Sequence, residues 1–229
     1  MAAPKDVLVN TDLKELKRFG YAVTQGLPLD KVYDLYRLAN TQNTEISVGG
    51  LHTTHFSEAP DNKKKISQHI INLLGKLPQL NDLQLEPVFG NFMIKPVDPH
   101  KTVVLHADWT YVDEQSLRGY NLWIPLHDTT LANGALHIVP FSHKVFDVLR
   151  GPFIPHPFES YSAKIVALDC VPLCLKKGQA VIFDNALLHY SPPNKTTNPR
   201  YAVSLMLLDN EADWIHYTFD MAAQKIRKY

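Results

Sequence analysis

Cysteine is nearly absent from this chain of 229 residues, which contains only Cys170 and Cys174. The two residues flank a β-like stretch, and the chain has no Cys-x-x-Cys pair, so a zinc knuckle is not expected. Two buried free thiols are the better interpretation, because cysteine is among the residue types most often found inside proteins. A reducing, cytoplasmic location fits this prediction.

Net charge and long hydrophobic runs are lacking as well. Lys plus Arg and Asp plus Glu both count 23, so the formal charge is zero. This balance argues against broad electrostatic binding to nucleic acid or to an anionic membrane. No run approaches 18 apolar residues, and the N-terminus has no signal-peptide pattern, so no membrane association is expected. A small-molecule partner fits these absences, and the oligomeric state stays open between monomer and homodimer.

The pattern of apolar residues changes near residue 85. Before this point, apolar spacing predicts three helices and one short strand. The helices begin after Thr11, at Pro28 and at Pro60, and the strand covers residues 21–24. After this point, short runs rich in branched and aromatic residues predict strands. These runs are residues 88–94, 103–106, 120–126, 135–139, 180–183 and 200–208.

Many short strands without intervening helices favour a sandwich or jelly roll over a parallel sheet. We therefore predict a mainly β chain with flanking helices, in which a double-stranded β-helix core (a cupin-like jelly roll) carries an N-terminal helical layer. The prediction is one domain over 1–229, with a mostly helical layer at 1–85, a catalytic core at 86–210 and a tail at 211–229. Residues 220–229 are expected to form a last short helix.

Among the eleven histidines, His106 is the one followed two residues later by an acid, Asp108. Side chains at i and i+2 leave the same face of a strand, so both could reach one metal ion. About one such pair is expected by chance, roughly 11 × 23/229, so the pair alone is a weak signal. His189 follows an apolar strand beside a turn, which is a suitable third ligand for the two-histidine, one-carboxylate site of non-haem iron oxygenases.

Arg200 opens another apolar strand and has no acid at i±2. A guanidinium facing the interior of a barrel needs an anionic partner, because a buried unpaired charge is very costly. The carboxylate of a ligand, gripped by the guanidinium fork, would meet this need. A structural salt bridge to an acid distant in sequence is the alternative.

Several motifs in a fixed order resemble the phytanoyl-CoA dioxygenase family over roughly residues 90–208. They are Leu105-His106-Ala107-Asp108-Trp109, Leu122-Trp123-Ile124-Pro125-Leu126, Asn133-Gly134-Ala135-Leu136, Val139-Pro140-Phe141-Ser142-His143-Lys144, His189-Tyr190-Ser191 and Asn198-Pro199-Arg200. One departure is Phe141, which stands where the family commonly has glycine.

The resemblance implies a role for each matching residue. His106, Asp108 and His189 would hold Fe(II). Arg200 would grip the distal carboxylate of 2-oxoglutarate, and Ser191 would hydrogen-bond the same cosubstrate.

Asn121 and Lys95 would add further cosubstrate contacts. The alternatives are an ordinary polar group at a strand edge for Asn121 and an exposed cation at a strand end for Lys95. Trp109, Tyr111 and His55 are weaker candidates for the substrate pocket, and His55 would equally suit a plain surface loop.

The resemblance implies a dioxygenase that uses Fe(II), 2-oxoglutarate and O2, with ascorbate as an aid in vitro. It would hydroxylate an unactivated C–H bond of a small metabolite or biosynthetic intermediate and release succinate and CO2. Asp108 favours hydroxylation, since related halogenases carry a small residue at this position. Desaturation, cyclisation or epoxidation would use the same cofactors. A zinc-dependent hydrolase and a non-catalytic jelly-roll module are the other hypotheses.

Overall fold

A computed structural model describes residues 13–24, 27–41, 47–56, 60–77, 80, 83–145 and 148–229. The helices are α1 (Leu13–Phe19), α2 (Leu29–Asn40), α3 (Pro60–Leu74) and α4 (Ser162–Leu168). The strands are β1 (Tyr21–Thr24), β2 (Ser47–Val48), β3 (Leu51–Thr53), β4 (Leu85–Lys95), β5 (Val103–His106), β6 (Gly119–Pro125), β7 (Leu136–Ile138), β8 (Val171–Leu173), β9 (Ala180–Asp184), β10 (His189–Ser191), β11 (Arg200–Asp209), β12 (Tyr217–Asp220) and β13 (Lys225–Lys228). The Thr11 cap lies outside the described residues.

The larger sheet has the strand order β1-β9-β6-β11-β4-β3-β2 and is antiparallel throughout its described pairings. β11 lies at its centre and is covered on both faces, which explains why this strand is apolar at most positions. Since side chains alternate between faces, Val203, Leu205 and Leu207 pack towards the helices. Ala202 belongs to a second core cluster on the other face, and Arg200 and Ser204 share that inner face.

The smaller sheet, of order β5-β10-β7-β8, packs against this inner face. Leu136 and Ile138 of β7 share one core cluster with Trp123, Phe183 and Ala202 of the larger sheet. Two facing antiparallel sheets with a shared core are typical of a double-stranded β-helix. The predicted mainly β fold is confirmed.

The helical layer covers the outer face of the larger sheet. α2 supplies Val32, Leu35 and Ala39, and α3 supplies Ile66 and Ile70, to a cluster that also contains outward residues of β6, β9 and β11. The apolar stripes on these helices therefore have a sheet as their partner. Among the described residues, no helix combines the length and hydropathy needed to cross a membrane.

The predicted C-terminal helix is wrong, because β12 and β13 form a hairpin there. Asp220 reverses the chain: its carboxylate accepts hydrogen bonds from the backbone N–H groups of Ala222 and Ala223 and from Nε of Arg227. This local capping by an aspartate outweighs helix propensity in so short a segment.

The prediction of two buried thiols is also wrong. Both cysteines are free, but Cys170 is half-buried and Cys174 is exposed. They flank β8, which is an edge strand of the smaller sheet, so the chain on either side of it meets solvent. The sequence pattern also gave no indication of β2, β3 or α4.

Phe141 occupies a backbone conformation that glycine prefers. Its φ of 69° and ψ of −9° lie in the left-handed region, which costs a residue with a side chain about 1–2 kcal/mol. The N–H of Phe141 donates to the carbonyl of Phe19, and the two rings lie 5.0 Å apart between centroids. The ring contact with Phe19 at the end of α1 opposes this backbone cost.

We expect Phe141→Gly to be more stable than Phe141→Ala by about 1–2 kcal/mol, the reverse of the usual order of these residues. Both variants lose the contact with Phe19, but only glycine relieves the left-handed strain. Urea unfolding of the two variants measures the difference, and an alanine variant as stable as the glycine variant would contradict the assignment of strain to this position.

Candidate functional site

His106 ends β5 and His189 begins β10, and the two residues lie directly opposite each other in the antiparallel ladder. Their ring centroids are 4.2 Å apart. The ring of Phe183, on β9 of the opposite sheet, lies 5.0 Å from the ring of His189. The two imidazoles therefore project together from the smaller sheet into the interior of the barrel.

The tautomer of each ring follows from its hydrogen bond. Nδ1 of His106 lies 2.8 Å from the carbonyl oxygen of Val104, and Nδ1 of His189 lies 3.0 Å from that of Leu187. A carbonyl can only accept, so each Nδ1 carries a hydrogen, and Nε2 is the nitrogen left for a metal. Burial, followed by the neighbouring His189, lowers the pKa of His106 to about 4. His106 is therefore neutral near pH 7, as a metal ligand must be.

Asp108 lies just beyond the end of β5, where no strand pairing fixes it. Its Oδ2 accepts a hydrogen bond of 3.2 Å from Nδ2 of Asn121, and Oδ1 of Asn121 accepts one of 2.9 Å from the hydroxyl of Ser204. Oδ1 of Asp108 lies 3.8 Å from Nε2 of His189. Asn121 thus orients the carboxylate with one oxygen turned towards the histidines.

His106, Asp108 and His189 each offer one ligand atom, and the three atoms lie within 4.8 Å of one another. Two neutral imidazoles and one carboxylate are the ligand set of a facial triad, which leaves other positions on the metal open. Each ligand side chain also makes a hydrogen bond to a second residue, and such bonds commonly orient metal ligands in proteins. The arrangement fits Fe(II).

Arg200 begins β11, and its side chain is fully enclosed. It is 2% exposed, and one terminal nitrogen donates a hydrogen bond of 2.5 Å to the carbonyl of Gly134. Its guanidinium lies 5.2 Å from the ring centroid of Trp123. Nε is buried without a hydrogen-bond partner, and burial lowers the pKa of Arg200 to about 10. Across the described ranges, no carboxylate lies within ion-pair distance of it.

The alternative of a structural salt bridge to a distant acid therefore has no partner among the residues described. A buried guanidinium without a counter-ion is unfavourable, so the enclosure around Arg200 is chemically suited to an anion.

The carbonyl of Gly134 connects Arg200 to β10, since it also accepts a hydrogen bond of 2.8 Å from the hydroxyl of Ser191. Gly134 has a φ of 74°, and a Cβ there would lie 2.6 Å from the carbonyl oxygen of Pro192 and 2.8 Å from Cε of Lys95. Only glycine can present its carbonyl here. The motif Asn133-Gly134 gave no indication of this contact in the sequence.

Lys95 lies directly opposite Arg200 in the pairing of β4 with β11. It is fully buried, at 0% exposure, so the alternative of an exposed strand-end cation is wrong. Its Nζ donates to the carbonyls of Ser191 and Lys101, at 3.2 and 3.3 Å. Burial, followed by the charge of Arg200, lowers the pKa of Lys95 to about 7. Two buried basic side chains thus lie side by side on neighbouring strands.

Aromatic side chains follow Asp108 along the chain and contact one another. Trp109 follows Asp108, its ring centroid lies 6.4 Å from that of Tyr111, and Tyr111 lies 6.0 Å from Trp214. The backbone N–H of Ile215 donates to the carbonyl of Tyr111. Trp214 was missed by the sequence analysis, because no local pattern connects the C-terminal segment with this loop.

His55 lies against the ring of Phe89, with 4.7 Å between centroids. Phe89 pairs with Met206 of β11, which in turn pairs with Asn121. A row of cross-strand pairs thus joins the residue that His55 contacts to Asn121, and the place of His55 in the substrate pocket stays a prediction.

A model of the family described as phytanoyl-CoA dioxygenase (PhyH) matches residues 1–202. The chain belongs to this family. The resemblance drawn from the motifs is thus confirmed.

The curated relatives include phytanoyl-CoA dioxygenase 1 of Oryza sativa subsp. japonica, which is 36% identical over 122 residues, covering 49% of this chain and 41% of that protein. A phytanoyl-CoA dioxygenase domain-containing protein 1 homolog of Dictyostelium discoideum is 29% identical over 118 residues, covering 48% and 41%. The chain covers about two-fifths of the length of these relatives.

Solved structures share the fold of this PhyH family member. SnoN, a non-heme alpha ketoglutarate dependent epimerase from nogalamycin biosynthesis, aligns with a TM-score of 0.65 at 18% identity, covering 87% of this chain and 82% of that one. HygX from Streptomyces hygroscopicus, crystallised with nickel and 2-oxoglutarate, aligns with a TM-score of 0.64 at 13% identity, covering 89% and 88%. At these identities the likeness establishes the fold alone.

Proposed function

We propose that this PhyH family member is an Fe(II)- and 2-oxoglutarate-dependent dioxygenase that hydroxylates an unactivated C–H bond of a small metabolite or biosynthetic intermediate. Two observations carry the proposal. One is the two-histidine, one-carboxylate triad, and the other is a buried guanidinium with an unpartnered Nε that shares the carbonyl of Gly134 with Ser191, two residues after His189. The triad alone would suit several metals. The buried cation is what selects a carboxylate cosubstrate.

Each side chain has a task in this proposal. His106 and His189 would bind the metal through Nε2, and Asp108 through the oxygen that Asn121 leaves free. Arg200 would bind the distal carboxylate of 2-oxoglutarate, with Ser191 and Lys95 nearby. When bound, iron and the cosubstrate supply an oxidant that removes hydrogen from a C–H bond, with succinate and CO2 as co-products. The enclosing aromatic side chains would hold the substrate and exclude water.

The low pKa of Lys95 predicts that 2-oxoglutarate binds less tightly as the pH rises above about 7. Without cosubstrate the amine is neutral above this pH, whereas a bound carboxylate favours the ammonium form, so binding takes up a proton. The affinity for 2-oxoglutarate is highest below pH 7, where Lys95 is already protonated. It falls by up to about tenfold per pH unit above pH 7. Calorimetric titration of the anaerobic, Co(II)-loaded protein at several pH values measures the slope.

Lys95→Met removes the titrating group, so the slope is expected to disappear in this variant. If the affinity of the wild-type protein for 2-oxoglutarate does not change between about pH 7 and pH 9, Lys95 does not contact the cosubstrate.

Hydroxylation is proposed over halogenation because Asp108 keeps a carboxylate at the position of the third ligand, whereas desaturation, cyclisation and epoxidation would use the same triad. Proteins of the same fold include an epimerase and a carbocyclase, both from nogalamycin biosynthesis. Product analysis by mass spectrometry separates the outcomes: hydroxylation adds one oxygen from O2 to the product, whereas desaturation and cyclisation remove two hydrogens and add none. Epoxidation also adds one oxygen, and chemical derivatisation of a hydroxyl distinguishes it from hydroxylation.

The oxygenase proposal has a direct spectroscopic test. Adding Fe(II) and 2-oxoglutarate to the protein without oxygen is expected to give a weak visible charge-transfer band, and adding a screen of metabolites in air, with ascorbate, is expected to reveal substrate-triggered succinate release. Tight zinc binding without the band would favour the hydrolase hypothesis. The absence of both metal binding and succinate release would favour a non-catalytic module.

A further inference from the structure

Arg150 has the largest fully buried side chain among the described residues, and most of its hydrogen bonds go to the segment that follows β5. It is 1% exposed. Its Nε donates a hydrogen bond of 2.7 Å to the backbone carbonyl of Asp108, and its two terminal nitrogens donate to the carbonyl of Val148 at 2.8 Å and to Oε1 of Glu114 at 2.5 Å. Arginine is rarely buried to this extent unless it is paired, and Glu114 is the partner here.

The backbone of Arg150 is joined to the same segment. Its N–H donates to the hydroxyl of Thr110 at 3.1 Å, and its carbonyl accepts from the N–H of Thr110 at 3.0 Å. One residue therefore contacts positions 108, 110 and 114. Residues 107–118 contain no strand or helix, so these contacts replace the ladder that holds His106 and His189.

The three metal residues are thus held in two different ways. His106 and His189 are fixed by their pairing across β5 and β10. Asp108 is fixed by Asn121 at its carboxylate and by Arg150 at its backbone carbonyl. The guanidinium fork can bond the carbonyl and Glu114 at the same time because it carries donors on three nitrogens in one plane.

The energetics favour a positioning role over a simple gain in stability. The side chains of Arg150 and Glu114 are 2% and 10% exposed, and the desolvation of such a pair often cancels its attraction. Burial raises the pKa of Glu114, and Arg150 opposes that rise. A buried pair that adds little stability but fixes one geometry is consistent with a role in specifying that geometry.

We propose that Arg150, held by Glu114, is a positioning residue that sets the geometry of Asp108 as a metal ligand. The inference rests on the proposed metal site. Arg150 reaches the metal only through Asp108, so its loss alters the ligand field and the affinity of the metal while the three ligands remain in the sequence.

The test compares two single variants by their Co(II) spectra. Arg150→Lys keeps a positive charge beside Glu114 but lacks the fork, so one amine cannot reproduce the contacts to Asp108 and Glu114. Glu114→Gln keeps an acceptor for Arg150 and loses the charge.

We expect Arg150→Lys to weaken Co(II) binding about 10- to 100-fold and to shift the visible d–d bands. Glu114→Gln is expected to keep the wild-type spectrum. Arg118→Lys, the same substitution in the same loop, is the matched control.

Wild-type spectra and affinity in Arg150→Lys would overturn the inference, as would equal spectral changes in both variants, which would indicate an electrostatic role. If either single variant fails to fold, the double variant Arg150→Met/Glu114→Met removes the pair without leaving a buried charge. Its spectrum is expected to change as that of Arg150→Lys does, and a wild-type spectrum would again overturn the inference. No Co(II) binding by the wild-type protein would instead contradict the proposed function, so the two failures are distinguishable.

Discussion

His106→Ala is expected to abolish succinate release and to weaken metal binding by at least about 100-fold. Loss of a residue that merely supports a ligand already costs roughly 10- to 100-fold in metal affinity, and loss of a ligand itself costs more. The fold should survive, because β5 keeps its backbone pairing with β10 and the ring of His106 is not part of the apolar core clusters. Metal content after dialysis and anaerobic calorimetry measure the effect.

His69→Ala is the matched control, since His69 is an exposed residue of α3 on the outer side of the sheet. This variant is expected to bind metal as the wild-type protein does. Full activity and wild-type metal content in His106→Ala would show that the triad assignment is wrong, whatever the behaviour of the control.

The spacing of His106 and Asp108 was readable from the sequence because residues two apart leave the same side of an extended chain. What keeps Asp108 in place was not readable. The carboxylate lies past the end of β5, and its two supports, Asn121 and Arg150, come from 13 and 42 residues away. Contacts at such separations leave no periodic signal, so the positioning of a ligand is harder to predict than the ligand itself.

Lys95 and Arg200 illustrate the same limit. The sequence indicates a cation at the end of one strand and another at the start of a second strand, but it does not indicate that the two face each other. Their direct pairing follows from the register of β4 against β11, and register depends on the whole sheet. The resemblance to a family supplied Arg200 as a cosubstrate contact, and the structure added that Lys95 shares its enclosure.

The fold was predictable where one strong pattern dominates. Apolar strands such as β9 and β11, and the amphipathic helices α2 and α3, carry the alternation or the stripe that their burial requires. The C-terminal segment was not predictable in this way. This segment forms a hairpin because the side chain of Asp220 caps a turn. In a short segment, one residue with local hydrogen bonds outweighs a weak helix propensity.

The substitution Arg200→Leu is expected to separate stability from cosubstrate binding. Without 2-oxoglutarate, the guanidinium is buried with Nε unpartnered, so a leucine of smaller volume and no charge should leave the protein as stable as the wild type or more stable. With 2-oxoglutarate, the variant loses a charged pair in an enclosed site, which costs about 2–4 kcal/mol, or roughly 30- to 1,000-fold in Kd.

Thermal unfolding of the Co(II)-loaded protein with and without 2-oxoglutarate measures both effects at once. A ligand that binds only the folded state raises the melting temperature in proportion to the logarithm of its concentration over Kd. The wild-type protein is therefore expected to gain stability from 2-oxoglutarate, and Arg200→Leu is expected to gain little at the same concentration. Arg200→Lys keeps the charge without the fork and should lie between them, because an ammonium cannot grip a carboxylate through two parallel hydrogen bonds. An undiminished shift in Arg200→Leu would place the cosubstrate carboxylate elsewhere, and Lys95, the other buried cation of this enclosure, would then be its partner.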